Sequence, residues 1–262
     1  LIMSEVLKSL YVDRFGGEPL SVTKLSGAGS NRVYYRLCGC GTSVIGVVGT
    51  SVEENRAFVA LAKVFAESGV AVPEVFAVSD NGLCYLQEDL GDTTLFDSLK
   101  MARENGCFGQ SDVDVLCEVM SALPHIQYKV PRSFDFSLCY PVSAFDERVI
   151  KWDLNYFKYC FLKGVGVEFD ESRLEDEFEK LTALLLSDND DVFMYRDFQS
   201  RNVMMHLGKS YFIDFQGGRK GPVYYDVASF VGQARACYTD DVVEKMIDAY
   251  LASLAEYKVV SR

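Results

Sequence analysis

A chain of 262 residues, 49% apolar and 24% charged, is long and apolar enough to bury a core of two lobes or two domains, which excludes a disordered chain. Its net charge of -12 argues against nucleic acid held on a basic surface. No apolar run suits a bilayer span and no secretory leader opens the chain, while eight scattered cysteines and two histidines, His125 and His206, form no zinc-like set and read as reduced thiols of a cytoplasmic protein.

The spacing of apolar residues predicts a helix over 4–15, closed by Gly16 and Gly17. Strands are expected over 20–25 and 33–37, joined by the turn Ser26-Gly-Ala-Gly-Ser-Asn-Arg32. In a strand–turn–strand of this kind, small residues such as Gly27, Ala28, Gly29, Ser30 and Asn31 let backbone N–H groups approach nucleotide phosphates, although an ordinary hairpin turn uses the same residues. A Rossmann reading fits less well, because strand-like residues follow the glycines instead of a helix. The next predicted strand, 43–48, carries no lysine to pair a phosphate. The candidate replacement cations are Arg32 and Arg56, unless backbone and magnesium hold the nucleotide without one. A helix is predicted over 53–68, with Glu53 and Glu54 where a cation-pairing glutamate would stand; acids in a first turn also serve any helix N-terminus.

Two more strands, 70–78 and 83–86, complete an antiparallel small lobe. The second leads into Gln87-Glu-Asp-Leu-Gly-Asp92, a segment that suits a hinge in which backbone groups of Glu88 and Leu90 would bond an adenine; a plain strand-to-helix loop looks the same in sequence. Helices are then expected over 95–105, over 113–126 with Pro124 kinking or ending it, and from a capped start at 143–146 to about Leu162. Trp152, Tyr156, Phe157 and Tyr159 on that last helix could stack on a substrate ring, but an aromatic stripe at helical spacing fits a core better. A further amphipathic helix is predicted over 174–186.

The stretch 193–216, FMYRDFQSRNVMMHLGKSYFIDFQ, carries the chemistry. Asp197 precedes Asn202 by five residues, and Asp214 follows Asn202 by twelve. A hairpin of 203–206 and 210–215, turning at 207–209, would carry Asp214 back to Asn202. Each of the three could alone be a turn or cap residue. Together, in an apolar frame, they suit a magnesium-nucleotide site: Asn202 and Asp214 offer oxygen ligands to a hard cation, and Asp197 is left to accept a proton from an attacking hydroxyl. Beyond them, the segment 217–222 reads as a flexible basic loop, open equally to contact with phosphates or substrate and to a solvated turn, and a helix opening at Tyr225 would let Asp226 bond backbone N–H groups of the catalytic loop.

The motif resembles the catalytic and metal loops of the protein-kinase-like superfamily, with D-F-Q in place of D-F-G and with Tyr195 where histidine usually packs the loop. No A-P-E segment follows, so a protein substrate is not expected. Taken in order, LSGAGSNR, the lysine-less strand, LQEDLGDTT, YRDFQSRN and IDFQGGRKGPVYYDVAS look like the aminoglycoside phosphotransferase family, which includes choline and sugar kinases. Within it, the bacterial amino-sugar kinases that act on the anomeric hydroxyl of N-acetylmuramate or N-acetylglucosamine look most similar.

The resemblance implies an α+β, protein-kinase-like two-lobed fold, with a β-rich nucleotide lobe over 1–90 and a helical catalytic and substrate lobe over 91–262. It further implies Asp197 as base, Asn202 and Asp214 as Mg2+ ligands, Gly27 to Asn31 over the phosphates of ATP, and a small-molecule hydroxyl as acceptor, with no nucleic-acid or membrane partner. The chain ends 36 residues after Asp226, where such enzymes usually continue, so a truncated C-terminus is expected. An aminoglycoside-resistance kinase and a nucleotide-binding pseudokinase scaffold are the alternatives; ATP against GTP and the oligomeric state stay open.

Overall fold

The structure, a computed structural model, describes residues 2–26, 31–187 and 192–258. Helix α1 (Ile2–Phe15) leads into strands β1 (Ser21–Lys24), β2 (Val33–Gly39) and β3 (Thr42–Val48), helix α2 (Val52–Glu67), and strands β4 (Val75–Val78) and β5 (Cys84–Glu88). The strands form one antiparallel sheet in the order β1-β2-β3-β5-β4. Strand alternation gives it two apolar faces. Leu37, Val44 and Leu86 pack under Leu7 and Tyr11 of α1. Gly46 lies on that face because a Cβ there would meet Leu37 and Leu7 side-chain carbons at 2.8 and 2.9 Å. Ile45, Val47 and Tyr85 face the other way, toward α2 and the main core.

The predicted strand over 70–78 shortens to β4, because residues 69–74 form a connection in which Pro73 has no N–H for a ladder. The predicted end of β5 at Leu86 moves to Glu88, which stays paired with Val44. Helix α2 starts at Ser51, whose Oγ accepts from the Glu54 N–H at 3.2 Å. Its Phe58 lies between Tyr85 (centroids 5.0 Å) and Phe215 (4.8 Å). Stacked pairs of this kind contribute about 0.5–1.5 kcal/mol each beyond burial.

The single helix expected over 95–105 is two, α3 (Leu95–Ser98) and α4 (Lys100–Asn105), broken at Leu99. Helix α5 (Gln110–Lys129) runs through Pro124 without ending there. Its inward residues Leu116, Val119, Met120, Leu123 and Ile126 are wholly buried, and Val242, Met246, Tyr250 and Leu254 of α9 (Asp240–Leu254) belong to the same core. That burial outweighs the one backbone hydrogen bond the proline removes.

Helix α6 (Glu147–Tyr156) gives way to a π-helical turn over Phe157–Leu162, followed by α7 (Glu171–Ser187). Here the core reading of the aromatic stripe is corrected. Trp152, Tyr156, Phe157 and Tyr159 are all exposed. The inner position belongs to Lys158, which is buried and pairs with Glu171 and with Glu175, at 2.8 Å, on α7. The rings turn outward around that pairing.

Strand β6 (Val192–Met194) pairs with β9 (Arg219–Gly221), and β7 (Val203–His206) pairs with β8 (Lys209–Phe212). The expected flexible loop over 217–222 is therefore partly a strand, fixed by β6. Helix α8 (Tyr225–Val231) follows. Among the described residues, no helix is long and apolar enough to cross a membrane.

Candidate active site

The connection between β6 and β7 holds Asp197, and the β7–β8 hairpin returns the chain to Asp214. Asn202 joins the two: its Nδ2 donates to the Asp197 carbonyl at 2.9 Å and lies 3.4 Å from Asp214 Oδ2. Asp214 has the left-handed backbone, φ 64°, which few non-glycine residues adopt and which turns the chain sharply before Phe215. Phe215 is fully buried against Phe58 and Phe65. The D-F-Q segment is thus anchored on α2 while its carboxylate faces the cleft.

Tyr195, two residues before Asp197, is fully buried among Phe65, Phe198 and Phe215. Its hydroxyl donates to the Ile213 carbonyl, so the tyrosine fastens the catalytic loop to the residue before Asp214, the packing and hydrogen-bonding expected of it. Asp226 lies under the same loop, with no exposure. Its carboxylate accepts from the Tyr195 N–H and the Arg196 N–H, each at 2.8 Å, as the sequence suggested. Burial pushes its pKa up to about 7 against the opposing pull of those two N–H donors. Gln233, which the sequence gave no reason to single out, accepts from the N–H and hydroxyl of Ser200 at 3.2 and 2.9 Å.

The Asp197 side chain opens to solvent although protein surrounds most of it. Burial and then the Asp214 carboxylate raise its pKa, while Arg196 and Arg219 oppose them. A Cβ added to Gly217 would stand 3.6 Å from Asp197 Oδ2, so that glycine leaves the space beside the carboxylate open.

A cleft of about 380 Å3 runs between the lobes, lined by Arg32, Tyr34, Phe58, Tyr85 and Gln87 on one side and by Gln199, Arg201, Asn202, Ile213, Asp214 and Gln216 on the other. Larger grooves, of about 820, 630 and 390 Å3, lie elsewhere and contain none of the Asp197, Asn202 and Asp214 set. Of the two candidate cations, the cleft holds Arg32. The β3 residues facing this way, Ile45 and Val47, are apolar and buried. Arg32, 4% exposed and over the Phe58 ring, enters just before β2 and pairs with Glu54 of α2 at 3.2 Å. Arg56 lines a separate groove beside Asp80 and Gly82. Glu54 therefore makes the cation pair, and Glu53, bonded by the Ser51 hydroxyl at 3.0 Å, is an N-terminal acid.

At the hinge, the Glu88 N–H is bonded to the Glu74 carbonyl at 2.8 Å, and the Leu90 carbonyl meets His206 Nδ1 at 3.1 Å. The Glu88 N–H is thus taken up by the sheet, whereas the Leu90 carbonyl, with one contact, keeps a second acceptor position. Arg36 fastens this segment to the sheet, bonding Asp89 at 2.7 and 3.0 Å and Asp92 at 2.8 Å. Of the predicted phosphate-covering residues, Gly27, Ala28, Gly29 and Ser30 lie outside the described residues; Asn31 and Arg32 lie within them.

Among the described residues, no three His, Cys, Asp or Glu side chains gather to hold a metal. A cation here would rest on one carboxylate, amide oxygens and the phosphates of a nucleotide, a donor set that suits magnesium. Gln216 fits that requirement: its Nε2 donates to Asp214 Oδ1 at 2.7 Å, and its Oε1 is buried without a hydrogen-bond partner. An orphaned buried oxygen beside a carboxylate is a place for a hard cation or its water. The D-F-Q glutamine was not singled out by the sequence.

A family model described as "Phosphotransferase enzyme family" matches residues 21–260. The chain is 27% identical over 261 residues to an N-acetylmuramate/N-acetylglucosamine kinase of Pseudomonas aeruginosa, covering 95% of this chain and 71% of that protein. A protein of the same name from Pseudomonas putida is 26% identical over 255 residues, covering 95% and 70%. Among solved structures, spectinomycin phosphotransferase APH(9)-Ia in complex with ADP and spectinomycin superimposes with a TM-score of 0.67 at 15% identity, covering 98% of this chain and 80% of that one. Choline kinase from Cryptosporidium parvum does so with 0.64 at 12%, covering 98% and 81%. The fold is the protein-kinase-like one of these enzymes.

Proposed function

The chain belongs to the phosphotransferase enzyme family and uses ATP to phosphorylate an alcohol group, and on that premise we propose that its acceptor is an amino sugar of the kind named for its Pseudomonas relatives. The observation that carries the site assignment is Asn202, which spans the Asp197 carbonyl and the Asp214 carboxylate at the mouth of the interlobe cleft.

In this reading Asp197 accepts a hydrogen bond from the acceptor hydroxyl and takes its proton as the oxygen bonds to the γ-phosphorus. The bond from that phosphorus to the bridging oxygen breaks and ADP leaves. The reaction passes through a loose, charge-rich transition state, so alignment and charge compensation matter more than covalent help. Arg32, held by Glu54, supplies positive charge on the sheet side of the cleft. Asn202, Asp214 and Gln216 would hold magnesium, which neutralises phosphate oxygens when bound. Tyr195 and Asp226 fix the backbone from which Asp197 projects. Backbone groups of Leu90 would hold the adenine.

The test is magnesium-dependent ADP release with N-acetylmuramate, N-acetylglucosamine, aminoglycosides and choline as acceptors. Turnover on an amino sugar is expected, falling about 10²–10⁴-fold in Asp197→Ala while nucleotide binding persists. Growth protection or turnover with aminoglycosides alone would replace the acceptor. Nucleotide binding without turnover on any acceptor would favour a scaffold, and no nucleotide binding would remove the site assignment altogether.

A further inference from the structure

Outside the lining of the nucleotide cleft, two guanidinium groups, those of Arg196 and Arg219, act electrostatically on Asp197. Arg196 adopts the left-handed backbone, φ 74°, and its N–H is fixed on Asp226. That conformation is unfavourable for a residue with a Cβ, and it sends the side chain toward α6. There Nη2 meets the two oxygens of Asp153 at 3.1 and 3.5 Å through a single nitrogen. The two side chains remain 28% and 39% exposed. Arg219 is 2% exposed, and both Nε and Nη2 donate to the Gly217 carbonyl, at 3.0 and 2.8 Å. Gly217 is the residue whose α-carbon faces Asp197 Oδ2.

A buried guanidinium therefore stands next to the base, held by a carbonyl instead of a carboxylate, with a second guanidinium near it. Burial and then Arg196 push the Arg219 pKa down, while Cys139, Asp153 and Asp197 oppose them. Neither arginine lines the nucleotide cleft, where Arg32 stands. Two guanidinium groups thus stand among the carboxylates of Asp153 and Asp197, in a chain of net charge -12. The partly exposed Asp153 holds Arg196 by one nitrogen, leaving the rest of a planar fork suited to a carboxylate.

We propose that this subsite reads acid on the acceptor: Arg196, backed by the buried Arg219, receives a carboxylate carried by the sugar. An acidic N-acetylated sugar such as N-acetylmuramate is then preferred to neutral N-acetylglucosamine. This rests on the amino-sugar kinase reading above. It assigns the source of a preference within that reading.

The experiment compares kcat/KM for the two sugars in the wild type, Arg196→Gln and Asp153→Asn, with calorimetric binding of each sugar as a second readout. The acid-over-neutral preference should fall about tenfold or more in Arg196→Gln, the effect of one charge-assisted hydrogen bond, because affinity for the acidic sugar drops. In Asp153→Asn it should rise, since the competing carboxylate is gone. Opposite movement in two folded variants is not produced by general damage to the site. A preference unmoved in both variants, or lowered in both, overturns the proposal. So does a raised KM for ATP with both acceptors equally affected, which would assign the arginines to phosphate. A wild type that phosphorylates neither sugar would sink the parent reading and this one with it.

Discussion

Replacing Asp226 with asparagine isolates the electrostatic cost of the carboxylate beneath the catalytic loop. The group has no exposure, accepts the Tyr195 and Arg196 N–H groups at 2.8 Å each, and titrates near 7 against an ordinary 3.8. A folded-state pKa raised above the unfolded one means that the native protein binds the proton more tightly. The associated stability is fully present below pH 3.8 and is lost as pH rises through about 7. The rise is about three pH units, and at 1.36 kcal/mol per unit it corresponds to at most about 4 kcal/mol. Asparagine keeps the shape and carries no titration, but sets an NH2 group against one of the two backbone donors, which costs about 1–3 kcal/mol. The variant should be the less stable of the two at pH 4, and the gap should narrow or reverse by pH 8. Urea unfolding followed by circular dichroism at pH 4, 5, 6, 7 and 8 measures the difference. A gap that stays constant, or that widens with pH, would mean that the two N–H donors outweigh burial, and the reasoning would fail.

Three further outcomes follow from the cleft. Glu54→Gln removes the carboxylate paired with a buried arginine and should raise KM for ATP about tenfold, the effect of weakening one charge-assisted contact, whereas Arg56→Ala, in its separate groove, should leave KM unchanged; equal effects would return the cation to Arg56. Gln216→Glu should tighten Mn2+ binding, read by electron paramagnetic resonance in the presence of ADP, if the orphaned Oε1 faces the cation. Weaker binding would mean that the amide serves only to hold Asp214. Gly217→Ala meets only ordinary contact with Asp197 at 3.6 Å and should fold normally, yet it fills the space beside the base and should lower kcat/KM for the acceptor about tenfold or more, as misplacement of a reacting group does. Unchanged kinetics would place the acceptor elsewhere.

Much of the site was legible because its parts are close in sequence. Asp197, Asn202 and Asp214 lie in one stretch whose hairpin folds it back on itself, and Asp226 follows twelve residues later. Local periodicity suffices for that geometry. Residues that act through the tertiary register were not legible. Arg32 and Arg56 could not be separated without knowing which face of α2 meets the cleft. The aromatic residues after Trp152 had the right spacing for a core. They point outward because Lys158 takes the inner position, and its partners Glu171 and Glu175 lie on another helix. Arg219 looked like part of a solvated glycine-rich loop; pairing of β9 with β6 buries it. The only local hint of Arg196 was its place beside Asp197, and nothing local pointed to Asp153 as its partner.

Moving the cleft cation from β3 to the residue before β2 changes what it is coupled to. The alternation of β3 gives the cleft face to Ile45 and Val47, which belong to the main core with Phe58, Phe65 and Tyr85. A lysine at either position would bury an ammonium group in that core at a cost of several kcal/mol. Arg32 avoids this by entering from the end of the sheet, with its guanidinium over Phe58 and its charge matched by Glu54 in the first turn of α2. Phe58 is stacked on Phe215, with ring planes 6° apart, and Phe215 is bonded in sequence to Asp214. The cation, the N-terminal turn of α2 and the D-F-Q carboxylate are thereby joined through one aromatic contact. If Arg32 meets a nucleotide phosphate, as proposed, that phosphate would act on the same packed aromatic body that positions Asp214.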